Sequence, residues 1–179
     1  MNALSSATAD RWAIAGAGLA YLRRGWSVIP IRPMDKRPLI AWREYQTRRA
    51  APEELLSWFR SWPAANLAIV TGAISGLVVL DLDPAHGGME SWRVMVQHYG
   101  PVGATPSAIS GGGGRHLYFA HPGTQLRNRA GLRPGMDMRG DGGYIVAPPS
   151  RHASGTCLRS RASEVTVASV NFSRRVSAK

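Results

Sequence analysis

The run "VVLDLDP", Val78–Pro84, ends an apolar stretch on two carboxylates one residue apart. In a β-strand residues i and i+2 share a face, about 6–7 Å apart, so Asp81 and Asp83 would point one way and Leu80 and Leu82 the other. Two anions at that distance repel unless a cation or water screens them. Magnesium and manganese favour oxygen ligands, and Mg²⁺ takes one or two carboxylates together with substrate phosphates. A third carboxylate from another strand would complete a two-metal site for phosphoryl chemistry. Asp137, in "GMDMR", is the candidate. The competing reading is a strand end at which Asp-Pro turns both acids into solvent.

"SGGGGRH", Ser110–His116, is the second piece. Its glycines, Gly111 to Gly114, let backbone N–H groups gather round an anion such as a triphosphate, with Arg115 or His116 adding a side-chain donor. The loop lacks the G-K-[ST] ending of a Walker motif and opens onto a strand. A flexible hairpin tip accounts for the glycines equally well. The alternation of "RHLYF" sets His116 and Tyr118 on one face, and that of "MDMR" sets Asp137 and Arg139 opposite Met136 and Met138.

These side chains need a sheet to hold them. Residues 9–24 predict a helix, with Trp12, Ala15, Leu19 and Leu22 at three- and four-residue spacing and Gly25 at its end. "WSVIPI" reads as a strand, and "APEELLSWFRSW" as a helix with Pro52 and two glutamates in its first turn. "NLAIV" and "GLVVLDL" read as strands joined in a tight hairpin by "TGAISG". Gly88 to Tyr99 returns to helical periodicity through Met89, Trp92 and Val96. Then "PSAIS" and "RHLYFA" form one predicted strand pair, and "GMDMR" and "YIVAPP" another. Helices early and hairpins late imply an α+β domain rather than a doubly wound sheet.

Composition narrows the function classes. The chain has 179 residues, 44% of them apolar, and a net charge of +11 carried almost entirely by arginine. Such an excess points to a polyanion, nucleic acid first; a GC-rich coding sequence is the blander source of arginine. One cysteine, Cys157, excludes an intramolecular disulfide or a thiolate zinc cluster. No long apolar run or secretory leader is evident, so the expected address is cytoplasmic. Residues 151–179 hold six basic residues against one acid. The expected division is a domain over 9–156 and a basic, loosely ordered tail over 157–179, an added edge strand being the alternative for that tail.

Five segments in order, "RGWSVIPIRPMDKRPL", "WPAANLAIVTG", "GLVVLDLDPAHGGMESW", "SGGGGRHLYF" and "PGMDMRGDGGYIVAPPSRHASG", resemble the N-terminal domain of bifunctional DNA primase/polymerases of the archaeo-eukaryotic primase superfamily, over about Ala17 to Gly155. The resemblance implies an RRM-like antiparallel sheet bearing the active site, packed with a smaller N-terminal αβ module. It implies Asp81, Asp83 and Asp137 as ligands of Mg²⁺ or Mn²⁺ in a two-metal site, and His116 on the phosphates of the incoming nucleotide. Ser110, Gly112, Gly113, Gly114, Arg115, Arg139 and Lys36 would line the nucleotide site. Arg37 and a basic loop of Arg127, Arg129 and Arg133 would touch DNA, simple exposure explaining these arginines equally. Arg139 has the triphosphate, Asp141 and Asp83 as alternative partners. His86 and His152 read as loop hydrogen-bonders.

The implied reaction is attack of a 3′-hydroxyl on a dNTP or NTP, templated by single-stranded DNA, in replication of a phage, plasmid or integrated element. A helicase, on a separate chain or in a missing C-terminal region, is an implied partner. The rival is a non-catalytic nucleotide- or DNA-binding relic. The segment after Thr156 departs from the family pattern.

Overall fold

The computed structural model describes residues 3–152, 154 and 156–161. In chain order these form α1 (Ala3–Arg23), β1 (Ser27–Ile31), α2 (Pro52–Ser61), β2 (Asn66–Val70), β3 (Leu77–Leu82), α3 (Gly88–Tyr99), β4 (Ser107–Ile109), β5 (Arg115–Ala120), β6 (Arg129–Arg133), β7 (Met136–Arg139), β8 (Tyr144–Val146) and β9 (Arg159–Arg161), with 3-10 turns at Trp42–Gln46 and Pro84–His86. The fold is α+β. Strands β1-β2-β8 make a small sheet and β6-β7-β3-β5-β4-β9 a larger one, with every pairing between these strands antiparallel. No helix among the described residues is long and apolar enough to cross a membrane.

The larger sheet has two unlike faces because its strands alternate. Val78, Leu80 and Leu82 of β3, Leu117 and Phe119 of β5, and Met136 and Met138 of β7 form one apolar layer, covered by Trp92 and Met95 of α3. On the opposite face Leu77, Val79, Ala108 and Tyr118 join the core of the N-terminal helices and the small sheet. That contact occupies only part of the face. Two residues further along the same strands, Asp81, His116 and Asp137 take the places of apolar residues.

The N-terminal layer follows its sequence signals closely. In α2, Leu55, Trp58 and Phe59 are buried at the expected helical spacing. Glu54 reaches back to the Ala51 amide (3.3 Å), satisfying a donor at the helix start. In α1 Ala15 is buried and Leu19 and Leu22 pack against the core as expected, joined by Ile14, while Trp12 is 54% exposed. Gly18 lets α2 come close on that side: a Cβ there would stand 2.9 Å from a Leu55 methyl.

Three sequence expectations need correction. β2 and β3 do not form a hairpin; beyond the Gly72–Leu77 bridge they diverge into different sheets. Both are almost wholly buried, and each sits at the centre of its own sheet with a neighbour on either side. β7 and β8 likewise separate, β8 returning to pair with β2, so the N-terminal sheet borrows a strand from the C-terminal half. The expected basic loop contains a strand, β6, at the sheet edge beside β7, where its arginines stay in water. Of the expected tail, Arg159–Arg161 pair with β4 as an edge strand; residues 162–179 lie outside the described residues.

Candidate active site

Asp81 sits at the centre of the site. Its Cα partner on β5 is His116 and its partner on β7 is Asp137. The three side chains therefore form one row across adjacent strands, on one face of the sheet. The His116 Nε2 stands 3.5 Å from Asp81 Oδ1. Arg139, one face-step along β7, places Nη2 2.8 Å from Asp137 Oδ2 and 3.7 Å from Asp81 Oδ2. The Gly131 amide of β6 donates to the other Asp137 oxygen at 2.8 Å. Asp137 and Asp81 thus share one guanidinium nitrogen, and the Asp141 and Asp83 alternatives for Arg139 are not taken.

Asp83 faces a different neighbourhood. It lies one residue beyond β3, caps the Pro84–His86 turn by accepting from the Ala85 amide at 2.9 Å, and meets His86 Nδ1 at 2.7 Å. The His86 contact, then the Ala85 amide, hold its carboxyl below the usual aspartate range. Its backbone is clamped: the Asp83 N–H donates to Gly135 O and its carbonyl accepts from Gly88 N, both at 2.8 Å. Neither "DPAHGG" nor "RPGM" disclosed this clamp.

His116 is 5% exposed. Burial pushes its pKa down, the Asp81 carboxylate pulls the other way, and Lys36 and Arg139 add to the lowering. The lowering favours the neutral imidazole, which has one N–H to donate. Its Nδ1 and the Nε of Arg139 have no hydrogen-bond partner among the described residues.

A cleft of about 790 Å³ opens over this row. It is lined by Lys36, Asp81, Asp83, Ser110, Gly112, Gly114, His116, Asp137 and Arg139, so most of the residues singled out in the sequence meet in one place. Gly113, Arg115, Arg37, Arg127, Arg129 and Arg133 are not on its wall. The glycine loop is a tight hairpin rather than an open nest. Gly113 N donates to Ser110 O (3.0 Å) and Ser110 N to Gly114 O (2.8 Å), with Gly113 at φ 80°, a three-residue hairpin loop closed by a left-handed glycine. One amide expected for an anion is therefore spent within the turn.

The cleft is also lined by Met34, Tyr144 and Arg151, to which the sequence assigned no site role, and by His152, which lies against Gly111 of the glycine loop. His152 and His86 make the expected loop hydrogen bonds, to Ser154 (3.0 Å) and Asp83, and both also face the cleft.

Does this arrangement suit a divalent cation? Among the described residues no three His, Cys, Asp or Glu side chains are grouped to hold a metal ion. Asp83 lines the same cleft as Asp81 and Asp137, with its carboxylate held by His86 and the Ala85 amide. The donor chemistry of the other two fits. Asp81 and Asp137 are hard oxygen ligands on neighbouring strands in a polar cleft, and they share a guanidinium nitrogen, a positive charge that a cation would replace.

The family model described as bifunctional DNA primase/polymerase, N-terminal, matches residues 18–170. No curated protein matches the chain.

Proposed function

The chain belongs to the bifunctional DNA primase/polymerase N-terminal family, and from that premise we propose that it transfers nucleotides from a dNTP or NTP to a primer 3′-hydroxyl on single-stranded DNA. One observation carries the reading: Asp137, Asp81 and His116 form a continuous polar row across three strands at the wall of one cleft. Phosphoryl transfer needs positioning and charge neutralisation more than a protein acid or base, and the row supplies both.

Asp81 and Asp137, joined by Asp83 once it leaves His86, are the residues to hold Mg²⁺ or Mn²⁺, which when bound lowers the charge on the phosphates and activates the attacking hydroxyl. The protein's own groups do the rest. Neutral His116 presents its single N–H beside Asp81 and donates to a phosphate oxygen without competing as a cation. Lys36 brings an ammonium across the cleft. Arg139, released from the two aspartates, has a planar fork suited to phosphate. Ser110 and Gly114 bring the hairpin backbone against the same wall.

A non-catalytic relic is the second reading, favoured by the ion pairs that already engage the acids, Arg139 with Asp137 and Asp81 and His86 with Asp83. A primer-extension assay with primed single-stranded template, dNTPs and Mn²⁺ or Mg²⁺ separates the two. The wild-type protein extends the primer, and Asp81→Ala with Asp83→Ala lowers the rate by on the order of a hundredfold or more, since even residues behind a metal ligand cost about 10–100-fold. DNA binding without extension by the wild type would leave only the relic. Replication of a phage, plasmid or integrated element, a helicase partner and a cytoplasmic address belong to the same proposal.

A further inference from the structure

The loop between β1 and the rest of the N-terminal layer contains an unusual turn. Asp35 N donates to Arg32 O at 3.3 Å, with Pro33 and Met34 between them. Proline at the second position and a positive φ at the third are the marks of a type II turn, whose third position is the preserve of glycine or asparagine. Here it is methionine, at φ 56°, the one non-glycine with positive φ among the described residues. Its side chain gains no packing in return. Met34 is 58% exposed.

The turn is nevertheless held firmly. Asp35 Oδ1 accepts from the amides of Lys36 (2.6 Å) and Arg37 (3.2 Å), and Oδ2 pairs with Arg37 Nε at 2.7 Å. Arg32 N donates to Arg37 O at 2.9 Å, and Tyr144 Oη donates to Lys36 O at 3.0 Å. Both Met34 and Lys36 line the cleft. Two residues apart in a turn, their Cα atoms are within about 7 Å. Lys36 acts electrostatically on Asp83 and His116, so the turn sets an apolar group next to the cation that faces the acidic row.

From a strained backbone, an exposed thioether and a rigid turn at the cleft rim, we propose that Met34 is a stacking platform for a nucleobase whose phosphates reach Lys36 and the Asp81 row. Strain kept at a functional position is retained for what the side chain does. A methionine suits the task because its polarizable, flexible thioether packs on any aromatic face. A template-directed enzyme has to accept four bases, and a sequence-tolerant platform fits that need. The inference rests on the nucleotide reading of this cleft.

The test uses Met34→Gly and Met34→Leu in the full chain, with three probes in the presence of Mn²⁺: dATP, inorganic tripolyphosphate and a fluorescein-labelled oligo-dT. Glycine relieves the left-handed strain, so Met34→Gly melts no lower than wild type and about 2–4 °C higher if the relief outweighs added loop freedom. It binds dATP about three- to tenfold more weakly with tripolyphosphate affinity unchanged, while Met34→Leu keeps most of the dATP affinity. A loss confined to oligo-dT assigns the platform to a template base instead of the incoming one. Wild-type affinity for dATP and oligo-dT in Met34→Gly overturns the platform alone. Failure of the wild-type protein to bind any probe overturns the nucleotide reading with it.

Discussion

Arg139 is the cation closest to the two aspartates of the row. Its Nη2 lies 2.8 Å from Asp137 and 3.7 Å from Asp81, and all three side chains are only partly exposed. Removing one partner from a half-buried ion cluster leaves the other charges facing each other with incomplete hydration. Arg139→Met should therefore destabilise the metal-free protein by about 1–2 kcal/mol, a fall of about 3–6 °C in melting temperature. Millimolar Mn²⁺ should recover more of that fall than it adds to the wild type, because the cation no longer competes with the guanidinium. Thermal melts of both proteins with and without Mn²⁺ read this directly. Equal Mn²⁺ shifts would mean that Arg139 and the cation do not share a position.

At the scale of elements, alternation explains how much of the site was visible in the sequence. Period two sets Asp81, His116, Asp137 and Arg139 on one face without any knowledge of strand pairing, and β3, β5 and β7 obey it. Asp83, one residue past the end of β3, keeps an extended backbone and lines the same cleft as Asp81; the alternation did not show that the next turn also holds its carboxylate. β6 escaped notice because "RAGLR" has the composition of a loop and pairs only along one edge. The clamp on Asp83 gives a prediction at this scale. Gly135 has φ 62°, and a Cβ there would lie 2.4 Å from Gly88 N and 2.7 Å from Asp83 O. Gly131 has a similar φ of 63° but nothing within 4 Å of its Cβ position. Gly135→Ala should cost about 2–4 kcal/mol, against about 1 kcal/mol for Gly131→Ala, measured by urea denaturation. Equal costs would remove the clamp as an explanation and leave backbone φ alone.

For the molecule as a whole, the chain crosses between the two sheets three times among the described residues, after β2, after β7 and after β8. Hydrophobic patterning marked β2, β3, β7 and β8 yet left their partners open, because a buried strand looks the same in either sheet. What joins the first two crossings is polar and long-range. Thr71 N donates to Gly143 O at 3.0 Å and Thr71 Oγ1 to Gly140 O at 2.7 Å. Asp141, between those glycines, accepts from Ala73 N (2.9 Å) and Leu126 N (2.8 Å) and meets His121 Nε2 at 3.3 Å. Burial would raise its pKa, but the two amides and His121 outweigh it and hold the carboxyl below the usual aspartate range. A depressed folded pKa contributes stability above the unfolded value and loses it as pH falls through the folded one. Asp141→Asn keeps the shape but has only one oxygen to accept with, leaving an amide unpaired at a cost of about 1–3 kcal/mol. The difference between wild type and variant should be constant from neutral pH down to about pH 5 and shrink below the normal aspartate range. Chemical denaturation at pH 7, 5 and 3 checks the trend, and a gap that widened toward acid would show that Asp141 is protonated in the native fold. Because Gly142 and Gly143 also line the cleft, the same substitution should weaken dATP binding at pH 7 even where the protein remains fully folded.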